Sequence, residues 1–254
     1  MLNYSEYGAP APDTPPLIIA HGLYGSGRNW GVIAKRLSDT RRVLTPDLRN
    51  HGTSPREKTQ SYPDMAADLA ELITYVGGPV DLCGHSMGGK AAMALALTQP
   101  HLIRKLIVAD IAPVTYGHSQ QGMIDAMRTV DLAGLTRRSD AESQLAMAGI
   151  EPALQSFFTQ SLDIPNKRWR LNLDVLEAEM DKIMGWPTTL DGPFDGPTLF
   201  LSGGASDYVT PAHRPRIKAL FPKARFARIP GAAHWLHAEK PREFEASLRV
   251  FLDS

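Results

Sequence analysis

The 254-residue sequence predicts an α/β protein: a mostly parallel central sheet flanked by helices, with a helical insertion in its second half. Three observations predict it. Short, mostly apolar runs at residues 17–20, 42–45, 79–83, 102–109, 197–201 and 225–229 alternate with stretches of helical periodicity. Strands buried on both faces and joined by crossover helices read this way. The hexapeptide Gly84-His85-Ser86-Met87-Gly88-Gly89 lies between one such run and the alanine-rich residues 90–97, so a tight turn there joins a strand to a helix. Between residues 114 and 190 no convincing strand recurs. The chain therefore divides into a core of residues 1–113 and 191–254 and an inserted helical cap of residues 114–190.

Taken in order, residues 2–7 alternate as a short edge strand, and residues 8–16 are a loop rich in Pro and Gly. The strand at 17–20 ends in His21-Gly22-Leu23-Tyr24-Gly25-Ser26-Gly27, a glycine-rich turn. A helix follows over 30–37, with Trp30, Ile33, Ala34 and Leu37 on one face. The strand at 42–45 leads into Pro46-Asp47-Leu48-Arg49-Asn50-His51-Gly52. Residues 63–76 form the clearest amphipathic helix, striped by Met65, Leu69, Leu72, Ile73 and Val76 and stopped by Gly77-Gly78-Pro79. Inside the insertion, helical stretches at 123–130 and 171–184 are separated by Gly134, Gly149, Pro152 and Pro165. Strand and helix then alternate again: 197–201, 217–221, 225–229, a turn at Pro230-Gly231-Ala232-Ala233-His234, and a last helix at 244–252.

Composition narrows the function classes. Lys and Arg total 27, as do Asp and Glu, which removes any global electrostatic case for nucleic acid or an anionic membrane surface. Cys83 is the one cysteine, so no internal disulfide forms, and it reads as a small core residue. No apolar run reaches membrane-spanning length, and residues 1–7 do not resemble a signal peptide, so the expected compartment is the cytoplasm.

In the hexapeptide, the glycines let strand and helix close together while the Ser86 hydroxyl projects from the bend. A serine hydroxyl needs a base to take its proton, and the base needs an acid to hold its tautomer. His234 follows the last strand in a glycine-rich turn and is the candidate base. Two aspartates qualify as the acid: Asp110, after the strand at 102–109, and Asp207, after the strand at 197–201. Charge developing on a substrate oxygen needs two donors. The Met87 N–H and the Leu23 N–H are assigned to it, with Tyr24 as the fallback. His21, His51 and His85 read as structural hydrogen-bonding groups close to the pocket. Tyr24, His85, Trp186 and Trp235 are the candidate substrate contacts. Of the insertion residues Met123, Met127, Phe157, Phe158, Trp169, Leu173 and Trp186, most read as the insertion's own core and the rest as pocket wall. No metal or cofactor is implied: Asp47 and His51 form no repeated ligand cluster, and residues 22–27 lack a P-loop ending.

These motifs together resemble the α/β-hydrolase superfamily over about residues 15–253. More narrowly, His21–Ser26, Asp47–Gly52, Gly84–Lys90 and Ala109–Pro113 are similar to small bacterial serine esterases related to a mitochondrial abhydrolase-domain protein. The resemblance implies a serine carboxylesterase acting on short-to-medium acyl esters or thioesters, with a small-molecule substrate as its partner and no cofactor. It also implies Asp110 as the acid, although this chain departs from the subgroup by carrying Asp207 as well. The same scaffold runs thioester hydrolysis, acyl transfer, C–C cleavage and perhydrolysis, and it also serves non-catalytic binding proteins. Those are the alternatives.

Overall fold

The computed structural model of the chain describes residues 1–11 and 13–254. Pro12, within the loop expected over residues 8–16, lies outside them. The first half contains β1 (Tyr4–Tyr7), β2 (Leu17–Ala20), α1 (Gly31–Leu37), β3 (Val43–Pro46), α2 (Tyr62–Val76), β4 (Val80–His85), α3 (Met87–Thr98) and β5 (Ile103–Ala109). Next come α4 (Gln121–Arg128), α5 (Arg138–Met147), α6 (Pro152–Thr159), β6 (Leu162–Asp163), β7 (Arg168–Trp169), α7 (Leu173–Ala178) and α8 (Met180–Met184). The chain returns to the sheet with β8 (Thr198–Gly203), α9 (Arg214–Leu220), β9 (Ala224–Ile229), α10 (Leu236–Glu239) and α11 (Pro241–Leu252).

Seven strands form one sheet in the order β1-β3-β2-β4-β5-β8-β9. Only β1 runs antiparallel, against β3; the other pairings are parallel. The carboxyl ends of β2, β4, β5, β8 and β9 therefore share one edge, where open α/β sheets bind ligands. The period-2 alternation of side chains divides the core in two. Ile18, Leu82, Leu106 and Val108 pack beneath α2 and α3, whereas Leu17, Cys83, Ile107 and Ala109 pack beneath α1 and α11. Both faces are covered, which is why these strands read as continuous apolar runs.

Helix α2 begins and ends where its sequence says it should. The Ser61 hydroxyl accepts the Asp64 N–H, and Gly77 closes the helix at φ 85°. The insertion departs from expectation in two places. The helix expected over 171–184 breaks at Glu179 into α7 and α8. There the Glu179 carboxylate accepts the Gln60 N–H of the core, a tertiary contact that periodicity does not encode. The segment also contains strand structure: β6 and β7 pair through Leu162–Trp169 and Asp163–Arg168. Two residues per strand are too few to produce a period-2 signal.

Candidate active site

Ser86 stands between β4 and α3 at φ 52° and ψ −121°, a region a non-glycine residue enters only under strain. The bend is held by its neighbours. The Ser86 N–H donates to the Ala109 carbonyl at 3.0 Å, and the Ser86 carbonyl accepts the Lys90 N–H at 3.0 Å. Gly88 lets α3 press onto the end of β2. A Cβ at this position would lie 2.4 Å from the His21 carbonyl oxygen and 2.5 Å from that of Ala20.

Three side chains from three strand ends meet in a line. His234 Nε2 is 3.1 Å from Ser86 Oγ, and His234 Nδ1 is 2.8 Å from Asp110 Oδ2. An ionised carboxylate only accepts hydrogen bonds, so Nδ1 carries the hydrogen and the Nε2 lone pair faces the serine hydroxyl. His234 reaches this place because β8 ends in Gly203. A Cβ there would lie 2.3 Å from the Ala233 carbonyl oxygen, so a larger residue would push the His234 loop away.

Asp110 is fully buried, at φ 52° past the end of β5. Its Oδ1 accepts the Gly203 N–H at 3.0 Å, and its Oδ2 also accepts the Ser206 hydroxyl. Asp207 is exposed and lies outside this chain of hydrogen bonds. The residue before it, Ser206, makes the contact. Tyr208, one residue past Asp207, stacks its ring on His234 at 4.0 Å between centroids. No sequence pattern marks Ser206 or Tyr208, because their partners lie about 100 and 26 positions away along the chain.

The flanking histidines are structural hydrogen-bonding groups. His21 Nε2 accepts the Leu48 N–H at 2.9 Å, and its Nδ1 donates to the Gly22 carbonyl at 2.8 Å. His51 Nε2 accepts the Tyr24 N–H at 3.2 Å, and His85 Nε2 donates to the His234 carbonyl at 2.8 Å. Burial drives all of them toward the neutral form. The His51 pKa is pushed down to about 3, and those of His21 and His85 are lowered. His237, stacked on Trp30 at 4.0 Å, is also pushed down to about 3 by burial. The rings around His234 therefore carry no competing positive charge at neutral pH. Burial likewise pushes the Cys83 thiol up, so this core cysteine is inert.

The Tyr24 N–H, held as a fallback donor for a developing oxyanion, is already engaged by His51. The Leu23 N–H has no acceptor among the described residues. Met87 is the first residue of α3, so its N–H has no intrahelical acceptor.

A cavity of about 320 Å³ opens over Ser86. Tyr24, His85 and Trp235 line it, whereas Trp186 does not. The Trp186 ring instead packs against Tyr62, itself a lining residue, with centroids 6.2 Å apart. Of the seven apolar residues singled out in the insertion, Met123, Phe157 and Phe158 reach the cavity. Trp169 instead donates its indole N–H to the Met127 carbonyl within the insertion. Lys90, the residue that follows the hexapeptide, also lines the cavity, although the sequence gave it no role.

A parallel sheet carrying a serine on a strained bend, and an imidazole and a carboxylate on later strand ends, defines the α/β-hydrolase class. The chain matches the alpha/beta hydrolase fold family over residues 15–241 and belongs to that family. It is 42% identical over 249 residues to the sn-1-specific diacylglycerol lipase ABHD11 of Mus musculus, covering 94% of this chain and 81% of that protein. It is 37% identical over 242 residues to Esterase YbfF of Escherichia coli (strain K12), covering 94% of this chain and 93% of that protein. A solved structure described as a marine microorganism esterase superposes with a TM-score of 0.93 at 40% identity, over 98% of both chains. Family and relatives together make the chain a hydrolase acting on esters.

Proposed function

We propose that the chain is a serine carboxylesterase that cleaves short-to-medium acyl esters or thioesters through an acyl-enzyme on Ser86. One observation carries this: Ser86, His234 and Asp110 stand in an unbroken hydrogen-bonded line. His234 Nε2 takes the proton as Ser86 Oγ attacks the carbonyl carbon, and Asp110 stabilises the imidazolium formed. The Leu23 and Met87 N–H groups donate to the oxygen of the tetrahedral intermediate, each contributing about 2–4 kcal/mol. As the bond from the acyl carbon to the alcohol oxygen or thiol sulfur breaks, the proton passes from Nε2 to the leaving group. Water, deprotonated by the same nitrogen, then releases the acid and restores Ser86.

Residues 114–190 act as the cap and shape the acyl pocket over a core of residues 1–113 and 191–254. Met123, Phe157, Phe158 and Met184 from this segment line the cavity, and the unbranched methionines suit acyl chains of varied shape. The diacylglycerol lipase name among the relatives makes acylglycerols a second substrate class to compare. A fluorophosphonate probe tests the chemistry: it labels the wild type and does not label Ser86→Ala. A folded wild type that resists labelling removes the proposal. Turnover of p-nitrophenyl esters from acetate to dodecanoate tests the pocket, and a flat response beyond acetate argues against a fitted acyl slot.

A further inference from the structure

We infer that Lys90 makes part of the cavity a subsite for a carboxylate carried by the substrate, so that esters bearing a free carboxylate are favoured. The inference rests on the ester-hydrolase assignment of Ser86. Lys90 stands in the first turn of α3, four residues after Ser86, and its N–H donates to the Ser86 carbonyl at 3.0 Å. Its side chain is 1% exposed and lines the cavity.

No carboxylate pairs with it among the described residues. Nζ donates to the backbone carbonyls of Met184 at 3.0 Å and Gly185 at 2.6 Å. It also sits 4.8 Å from the Tyr116 ring centroid and 5.5 Å from that of Tyr62. The hydroxyls of both tyrosines are spent elsewhere, on the Tyr208 and Ile183 carbonyls. The buried Asp81, by contrast, has Arg41 and Arg104 as its counter-charges. Burial alone moves the Lys90 amine, lowering its pKa to about 7, with no acid offsetting the shift.

A buried cation without an anion is costly. A tie to two cap carbonyls needs only a neutral donor, which a glutamine supplies. Lys90 lines the substrate cavity, and through that cavity a counter-ion can reach it. A carboxylate bound there would supply the missing partner through a charge-assisted hydrogen bond. It can arrive on the acyl side, as in a half-ester of a dicarboxylic acid, or on the alcohol side, as in an ester of a hydroxy acid.

Two matched pairs separate these sources. The acyl pair is the p-nitrophenyl half-ester of glutaric acid against the same ester with its free end as a primary carboxamide. The alcohol pair is the butyrate ester of 4-(hydroxymethyl)benzoic acid against that of 4-(hydroxymethyl)benzamide. The acid-to-amide ratio of kcat/KM is measured in the wild type, Lys90→Met and Lys90→Gln, each normalised to fluorophosphonate-reactive serine. In at least one pair the ratio should fall about tenfold to a hundredfold in both variants. A purely structural tie to the cap slows acid and amide alike and leaves the ratio unchanged, which would overturn the inference. So would a wild-type ratio below about 0.1 in both pairs, the behaviour of a cavity that holds no partner for a carboxylate, whether or not the variants fold. If the wild type turns over neither pair and resists the probe, the assignment of Ser86 fails and the subsite falls with it.

Discussion

Replacing Asp110 with asparagine tests the hydrogen-bonded line at its most buried member. In the native chain the carboxylate accepts the Gly203 N–H at 3.0 Å, His234 Nδ1–H at 2.8 Å and the Ser206 hydroxyl. Asparagine keeps one carbonyl oxygen, which can still accept the Gly203 N–H. Its NH2 group then faces His234 and donates to Nδ1, so the imidazole hydrogen moves to Nε2. Ser86 now faces a donor and loses its base, and kcat should drop about 10⁴-fold. Folding should lose only about 1–3 kcal/mol, because the Ser206 hydroxyl can turn to accept from the amide. Asp207→Asn is the control. Its side chain is exposed and outside the line, so kcat should stay within about twofold and stability within about 0.5 kcal/mol. Steady-state hydrolysis of p-nitrophenyl butyrate, with thermal melts on the same samples, reads both. An Asp110→Asn enzyme within about tenfold of wild type, or an Asp207→Asn enzyme down more than about a hundredfold, refutes the assignment of the acid.

Three further outcomes follow from the same geometry. Ser206→Ala removes one donor to the Asp110 carboxylate, so kcat should fall about tenfold with KM unchanged; an unaltered kcat makes that hydroxyl incidental. Gly88→Ala puts a Cβ 2.4 Å from the His21 carbonyl oxygen, so α3 must move off β2; about 3 kcal/mol of stability and the fluorophosphonate labelling should be lost, and an unchanged melting temperature contradicts this. Acid should destabilise the fold. His51 and His237 titrate near 3 in the folded chain against about 6.5 when unfolded, so the unfolded chain binds more protons below 6.5. Stability is complete above about pH 6.5 and is lost as pH falls toward 3, at up to about 1.4 kcal/mol per unit for each histidine. Urea midpoints near pH 7.5 and pH 5 measure this, His51→Gln should flatten the slope, and a pH-independent midpoint excludes it.

Much of the core was legible because both faces of the sheet are covered. A strand buried on both sides must be apolar throughout, so β2, β4, β5 and β8 announce themselves as short runs between turns. Ser86 was legible for a local reason: the strained bend needs glycine at fixed offsets from the serine. The break at Glu179 and the β6–β7 pair were not, since one depends on a contact with Gln60 and the other is two residues long. The packing of Trp186 on Tyr62 was not legible either, because composition cannot tell which aromatic side chains meet.

By itself, then, the chain's sequence determined the architecture, the serine and the histidine, because hydrophobic period and turn chemistry act over a few residues at a time. Only the tertiary structure brought Asp110 rather than Asp207 to His234, brought Ser206 to that carboxylate, engaged the Tyr24 N–H and placed Lys90 on the cavity wall with no carboxylate paired to it among the described residues. Those outcomes depend on which strand ends lie side by side, and sheet order places together residues that the sequence holds about 100 positions apart.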